Sequence, residues 1–151
     1  MDLQMEINSL KQRISELEKQ AKQEREFPQY NDTYYNIESN GRVDWFKWGE
    51  GDYDLEAQGI GNIFRTEEQA EFAAEKLKVE AELRKFSKPF VDDNDNYFIE
   101  INSYYKYLAV HSNDSYRTQG TIYFESIEIA NEAIDAIGAD RIKKYIFGVE
   151  D

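Results

Sequence analysis

Near the N-terminus, apolar residues recur at alternating spacings of four and three: Leu3, Ile7, Leu10, Ile14, Leu17 and Ala21. This period predicts a helix within residues 1–27 that carries one narrow apolar seam. With Leu3, Leu10 and Leu17 at d, Ile7, Ile14 and Ala21 fall at a, the combination that favours a parallel two-stranded coiled coil. In that register Glu6 meets Lys11 of a second copy and Arg13 meets Glu18, and both pairs attract. A helix packed on its own domain shows a broader apolar face than this one. The expectation is a parallel homodimer through Leu3, Ile7, Leu10, Ile14 and Leu17, with help from the rest of the chain because three heptads alone are marginal. The helix should stop at Phe27-Pro28, since proline disfavours helical geometry in the residue before it.

From Tyr30 the pattern changes to short alternating runs followed by a helical run, and it does so twice. The first half predicts strands at Tyr34–Glu38 and Val43–Trp48 around an Asn40-Gly41 turn, a loop over Gly49–Asp54, and a third strand at Ile60–Arg65. Thr66 with Gln69 three residues on is a capping box, and Ala70, Ala73, Ala74, Leu77, Ala81 and Leu83 carry the helix to about Lys85. The second half predicts strands at Tyr97–Ile101, Tyr105–His111 and Gly120–Phe124, then a helix from Ser126 to Ile137 closed by Gly138. Asp140–Phe147 reads as a further helical turn or an edge strand. The fold class is therefore α+β: a coiled-coil helix over 1–27, then an acidic domain over 28–151. That domain reads as two tandem βββα units, about 30–88 and 95–151, with antiparallel sheets each backed by a helix.

Charge narrows the function. Of 151 residues, 18 are basic and 31 acidic, a formal net charge of −13. The first 27 residues hold five basic and six acidic groups, leaving 13 and 25, a net −12, for the rest. A general nucleic-acid binder needs a basic surface, and an anionic membrane would repel this one. The longest apolar runs are far too short for a bilayer span and the acidic N-terminus has no signal-peptide pattern, so a cytoplasmic protein is the expectation. Cysteine is absent and His111 is the sole histidine, which removes disulfides, thiolate zinc sites and a His-pair metal site within one chain.

The remaining chemistry is thin. Asp92–Asn96 resembles the start of a calcium loop, but Tyr97 and Ser103 stand where the loop requires glycine and glutamate. Gly59-Ile60-Gly61 lacks the rest of a dinucleotide fingerprint. His111 lies near Ser112 and Asp114, but neighbours on one turn do not supply the geometry of a catalytic triad. No enzyme, cofactor or metal is expected.

Contact chemistry is richer, because 15% of the chain is aromatic. In Asp44-Trp45-Phe46-Lys47-Trp48, alternation puts Trp45 on one face of a strand and Trp48 on the other, so one indole can face outward. Beside it runs the acidic loop Glu50-Gly51-Asp52-Tyr53-Asp54. Trp45, Trp48 and Tyr53 are the candidate anchors of a partner-binding surface, with Asp44, Glu50, Asp52 and Asp54 as steering charges. The alternative is that both faces are covered and the aromatics are core.

The stretch from Ile60 to Ala73, the runs Lys76–Val79 and Glu82–Phe86, and the ending Ile137–Gly148 resemble sequences that recur in small bacteriophage and prophage proteins of the anti-defence, anti-CRISPR-like type. The resemblance implies a phage-encoded protein acting in the bacterial host cell. It further implies a counter-defence inhibitor that occludes a host nucleic-acid-targeting defence protein or ribonucleoprotein. One alternative is a sponge for a small cyclic nucleotide at a subunit interface, with Arg42, Arg65, Lys106 and Arg117 as the available cations. Another is a phage accessory protein with no inhibitory role.

Overall fold

A computed structural model describes residues 2–150. Its first element is helix α1 (Leu3–Glu24), started by the Asp2 side chain, which accepts the Gln4 N–H. The helix ends three residues ahead of the expected Phe27, because Arg25 already adopts an extended backbone. Leu3, Ile7, Leu10, Ile14 and Leu17 lie along α1 with exposures from 44 to 74%. Among the described residues α1 packs along no other element.

Strands β1 (Thr33–Ile37) and β2 (Val43–Lys47) form an antiparallel hairpin with Tyr34 opposite Phe46 and Tyr35 opposite Trp45. The Gly41 N–H closes the turn on the Glu38 carbonyl at 2.8 Å. Gly41 sits at φ +82°, which a side chain would strain, and a Cβ there would also lie 3.2 Å from Lys78 Cε. Helix α2 (Asp52–Gly59) follows, where part of a loop was expected. Gly49 and Gly51 read as loop residues, yet Gly51 serves as the N-cap, and Asp52 and Asp54 favour the positive end of a helix.

Helix α3 (Glu67–Arg84) opens at Thr66, whose hydroxyl accepts the Gln69 N–H as the capping box requires. It packs against both strands of the first hairpin and against the two later helices. Its burial follows from those two neighbourhoods: Ala70, Ala74, Val79 and Leu83 are covered, while Leu77 and Ala81, expected in the core, are exposed. The second hairpin joins β3 (Asn96–Ile101) to β4 (Leu108–Asn113), with Phe98 opposite His111. Helix α4 (Ile127–Ile137) is capped by Ser126. Gly138, at φ +102°, turns the chain into α5 (Ala139–Tyr145), so the C-terminal segment is a helix and no edge strand.

The fold is α+β, with two two-stranded antiparallel sheets and five helices among the described residues. The expected third strands do not form as strands. Ile60–Arg65 keeps one bridge, Phe64 to Tyr35, and Gly120–Phe124 keeps two, Tyr123 to Lys88 and Phe124 to Tyr97. Gly61 at φ +73° and Gly120 at φ +74° bend each segment out of extension. The main core joins Val79 and Leu83 of α3 to Phe124, Ala130, Ala133, Ile137 and Ile142. Arg141 strengthens this junction by donating to both carboxylate oxygens of Glu82 at 3.1 and 3.2 Å. No helix among the described residues is long and apolar enough to cross a membrane.

Candidate partner-binding site

Trp45 on β2 and Trp48 just past its end sit in opposite environments. Trp48 is 4% exposed and meets the Tyr34 ring edge-on at 6.0 Å, while Trp45 is 59% exposed. The asymmetry follows from what covers each face. Tyr34, Asn36 and Phe46 share the face that α2 covers, through the Tyr53 ring 5.1 Å from Phe46. Trp45 points to the opposite face together with Lys47, whose ammonium donates to Thr33 Oγ1 at 2.8 Å. Trp48 is therefore a core residue and no surface anchor.

The acidic residues also divide. Asp44, Glu50 and Asp52 are exposed, and Asp44 Oδ1 accepts the Trp45 N–H at 2.8 Å. Asp54 is buried. Tyr34 donates its hydroxyl to Asp54 Oδ1 at 2.5 Å, and Oδ2 accepts the N–H groups of Gly49 at 2.8 Å and Gly51 at 3.3 Å. The Tyr34 bond, aided by those amides, holds the Asp54 carboxyl below the usual carboxylate range against the opposing effect of burial. Burial, and then the Asp54 bond, push the Tyr34 phenol upward. Asp54 is thus a structural acceptor, correcting its place among the steering charges. A buried carboxylate held by these bonds has no oxygen to offer a partner directly.

Tyr53 stands between these roles. Its ring is half exposed, and its hydroxyl accepts from Asn36 Nδ2 at 2.9 Å. The other amide atom, Asn36 Oδ1, is buried with no hydrogen-bond partner among the described residues. The candidates therefore divide between two faces of the hairpin: Asp44, opposite Asn36, lies on the face of Tyr53 and α2, while Trp45 lies on the other.

The four cations proposed for a nucleotide do not converge. Arg65 donates to the Arg25 carbonyl at 2.7 Å and the Lys22 carbonyl at 3.3 Å, with its guanidinium 4.8 Å from the Phe27 ring centre. Arg117 pairs with Asp92 at 3.1 Å and lies over the Phe90 ring, and Lys106 is on the β3–β4 loop. Arg42 lines a cleft of about 710 Å³ with Lys78 and Lys144 above the Phe72–Tyr145 ring pair, but four glutamates line the same cleft. His111 Nε2 lies 3.5 Å from Glu100 Oε2 across the second hairpin. Asn96, at the calcium-like run, is buried and holds that turn together through bonds to Val91, Asn94 and Asn113.

A group of tyrosines lies outside these candidates. The sequence predicts a strand from Tyr105, with Tyr104 beside it, but Lys106 at φ +56° breaks the extension and β4 starts only at Leu108. The signal was present in the composition Asn102-Ser103-Tyr104-Tyr105-Lys106-Tyr107, which suits a contact loop better than a strand. Compared with known protein families, curated proteins and solved structures, the chain matches none.

Proposed function

We propose that this protein is a non-enzymatic, self-pairing protein binder that occludes a host nucleic-acid-targeting defence effector, as anti-CRISPR-like bacteriophage proteins do. The observation that carries the self-pairing part is the a/d seam of α1, apolar over Leu3–Leu17 and exposed in the single chain. Water-exposed leucine and isoleucine in strict heptads are stabilised by a second copy, each fully buried side chain contributing about 1.5–3 kcal/mol. Residues 1–27, which contain α1, are then the pairing segment and residues 28–151 the acidic body. Within the body, the bridges Tyr35–Phe64 and Tyr97–Phe124 both fall two residues ahead of a helix N-cap, Thr66 or Ser126. This supports reading 30–88 and 95–151 as tandem βββα copies whose third strands have shortened to bridges.

Occlusion uses the net charge of −13 to mimic the phosphates that a basic channel would otherwise hold. Trp45 is the anchor on one face of the first hairpin and Tyr53 the anchor on the other, with Asp44, Glu50 and Asp52 the steering charges. The test is phage plating on a bacterial host that carries a nucleic-acid-targeting defence, with and without the protein expressed in its cytoplasm. Restored plating against at least one such system is the expected result. Unchanged plating across a panel of such systems would leave an accessory role with no inhibition.

The cleft holding Arg42, Lys78 and Lys144 supports a second reading, capture of a small cyclic nucleotide. Glu68, Glu71, Glu75 and Glu150 line the same cleft and oppose an anion. A thermal-shift panel decides, because a ligand at 100 times its dissociation constant adds about 2.7 kcal/mol of stability.

A further inference from the structure

The loop between β3 and β4 exposes three tyrosines in four positions. Tyr104, Tyr105 and Tyr107 are 85, 73 and 52% exposed, and the hairpin's contribution to the core comes instead from Tyr97, Ile99, Leu108 and Val110. Folding therefore gives no reason for these rings. The loop is also ordered by its own hydrogen bonds. Asn102 Oδ1 accepts the N–H groups of Tyr104 at 3.0 Å and Tyr105 at 2.8 Å. The Asn102 carbonyl accepts the Lys106 N–H at 2.6 Å, and the Asn102 N–H donates to the Tyr107 carbonyl at 2.9 Å. The rings support one another, Tyr104 edge-on to Tyr105 at 5.1 Å and Tyr105 near-parallel to Tyr107 at 6.4 Å. Tyrosine offers large, stiff, amphipathic contact area, and rings already held in place lose little entropy on binding.

We propose that this tyrosine tip is an anchor for a protein surface that presents arginine side chains. The proposal rests on reading the chain as a protein binder and adds a second surface and its chemistry. Two features favour arginine. The π-faces of tyrosine attract a guanidinium, which stacks on them as well as sitting over them. The net charge of −13 draws in cationic partners and repels phosphate. Single-stranded nucleic acid also stacks on tyrosine, but it needs a basic groove, and Lys106 is the only basic residue in the segment 102–107.

The test uses the full-length protein and two peptides of equal length, one oligo-arginine and one oligo-lysine, titrated calorimetrically above physiological salt. Three forms are compared: wild type, a triple Tyr104/Tyr105/Tyr107→Leu variant and the matching triple →Phe variant. The exposed tip should tolerate both, which a thermal melt checks. Wild type should prefer oligo-arginine, the leucine variant should lose about tenfold in that affinity, and the phenylalanine variant should retain most of it. Equal affinity for the two peptides, unchanged by leucine, would overturn the proposal. If Asp44→Asn, Glu50→Gln and Asp52→Asn together still weakened peptide binding, the acidic-binder reading would survive that failure. Absence of binding to either peptide would remove both. Tighter binding of an oligo-thymidine strand, lost in the leucine variant, would overturn the proposal in favour of nucleic acid.

Discussion

Tyr34 and Asp54, on β1 and α2, share a 2.5 Å hydrogen bond inside the body. Through its second oxygen, Asp54 also gathers the Gly49 and Gly51 amides. One carboxylate therefore joins the first hairpin to the start of α2, and it fixes the base of the surface that carries Tyr53. Its pKa is lowered in the folded state, so its contribution is fully present above the ordinary carboxylate value of about 4. That contribution is lost as the pH falls from there through the lowered folded value. Asp54→Asn should cost about 1–3 kcal/mol at neutral pH. The gap to wild type should shrink in acid, as read by urea unfolding at both pH values. An equal gap at both would show that the charge is immaterial.

Arg65 acts as a clamp on the end of α1, reaching the Lys22 carbonyl in its last turn and that of its C-cap Arg25 while covering Phe27. A cation at a helix C-terminus also complements the negative end of the dipole. Arg65→Ala should raise amide hydrogen exchange around residues 22–27 and leave α3 and α4 protected. Arg65→Lys should not restore protection, because one ammonium cannot copy a planar fork that spans two carbonyls. Uniform exchange throughout the body would instead indicate a global role.

The seam of α1 predicts its own variants. Ile7→Asp with Ile14→Asp should convert a dimer to a monomer in light scattering. The melting of the body should be almost unchanged, because among the described residues α1 packs along no other element. A wild-type protein that is monomeric at tens of micromolar would refute the pairing. A trimer would keep the seam and change only the number of strands.

The two tryptophans should separate cleanly. Trp48→Ala empties a buried site and should cost about 3–5 kcal/mol. Trp45→Ala should leave stability within about 0.5 kcal/mol of wild type, as expected for an exposed position. Against a purified target, Trp45→Ala should speed dissociation, and neutralising Asp44, Glu50 and Asp52 should slow association mainly at low salt. Wild-type kinetics in both would move the contact surface away from β2 and α2.

Local chemistry was legible in the sequence because its partners lie within a few residues. Thr66 caps α3 through Gln69, Ser126 caps α4 through Ile129, and Gly41 closes the first hairpin where a side chain would be strained. Each of these is a short-range hydrogen bond or a backbone angle, so contiguous residues suffice to specify it. Alternation along Asp44–Trp48 likewise separated Trp45 from Trp48, but it could not say which indole would be covered. That choice belongs to α2, which brings Tyr53 and Asp54 back over one face of the hairpin. The same packing turned Asp54 from a surface charge into a buried acceptor. Positive φ at Gly61 and Gly120 falls at the start of two expected strands that survive only as bridges, and at Lys106 it delays β4 to Leu108, since alternating residue types record a preference for extension while the ladder that sustains it is tertiary. The pattern of residues determined where helices and turns begin, because that physics is local. Only the assembled fold decided which side chains face water, because burial is set by elements distant in the chain.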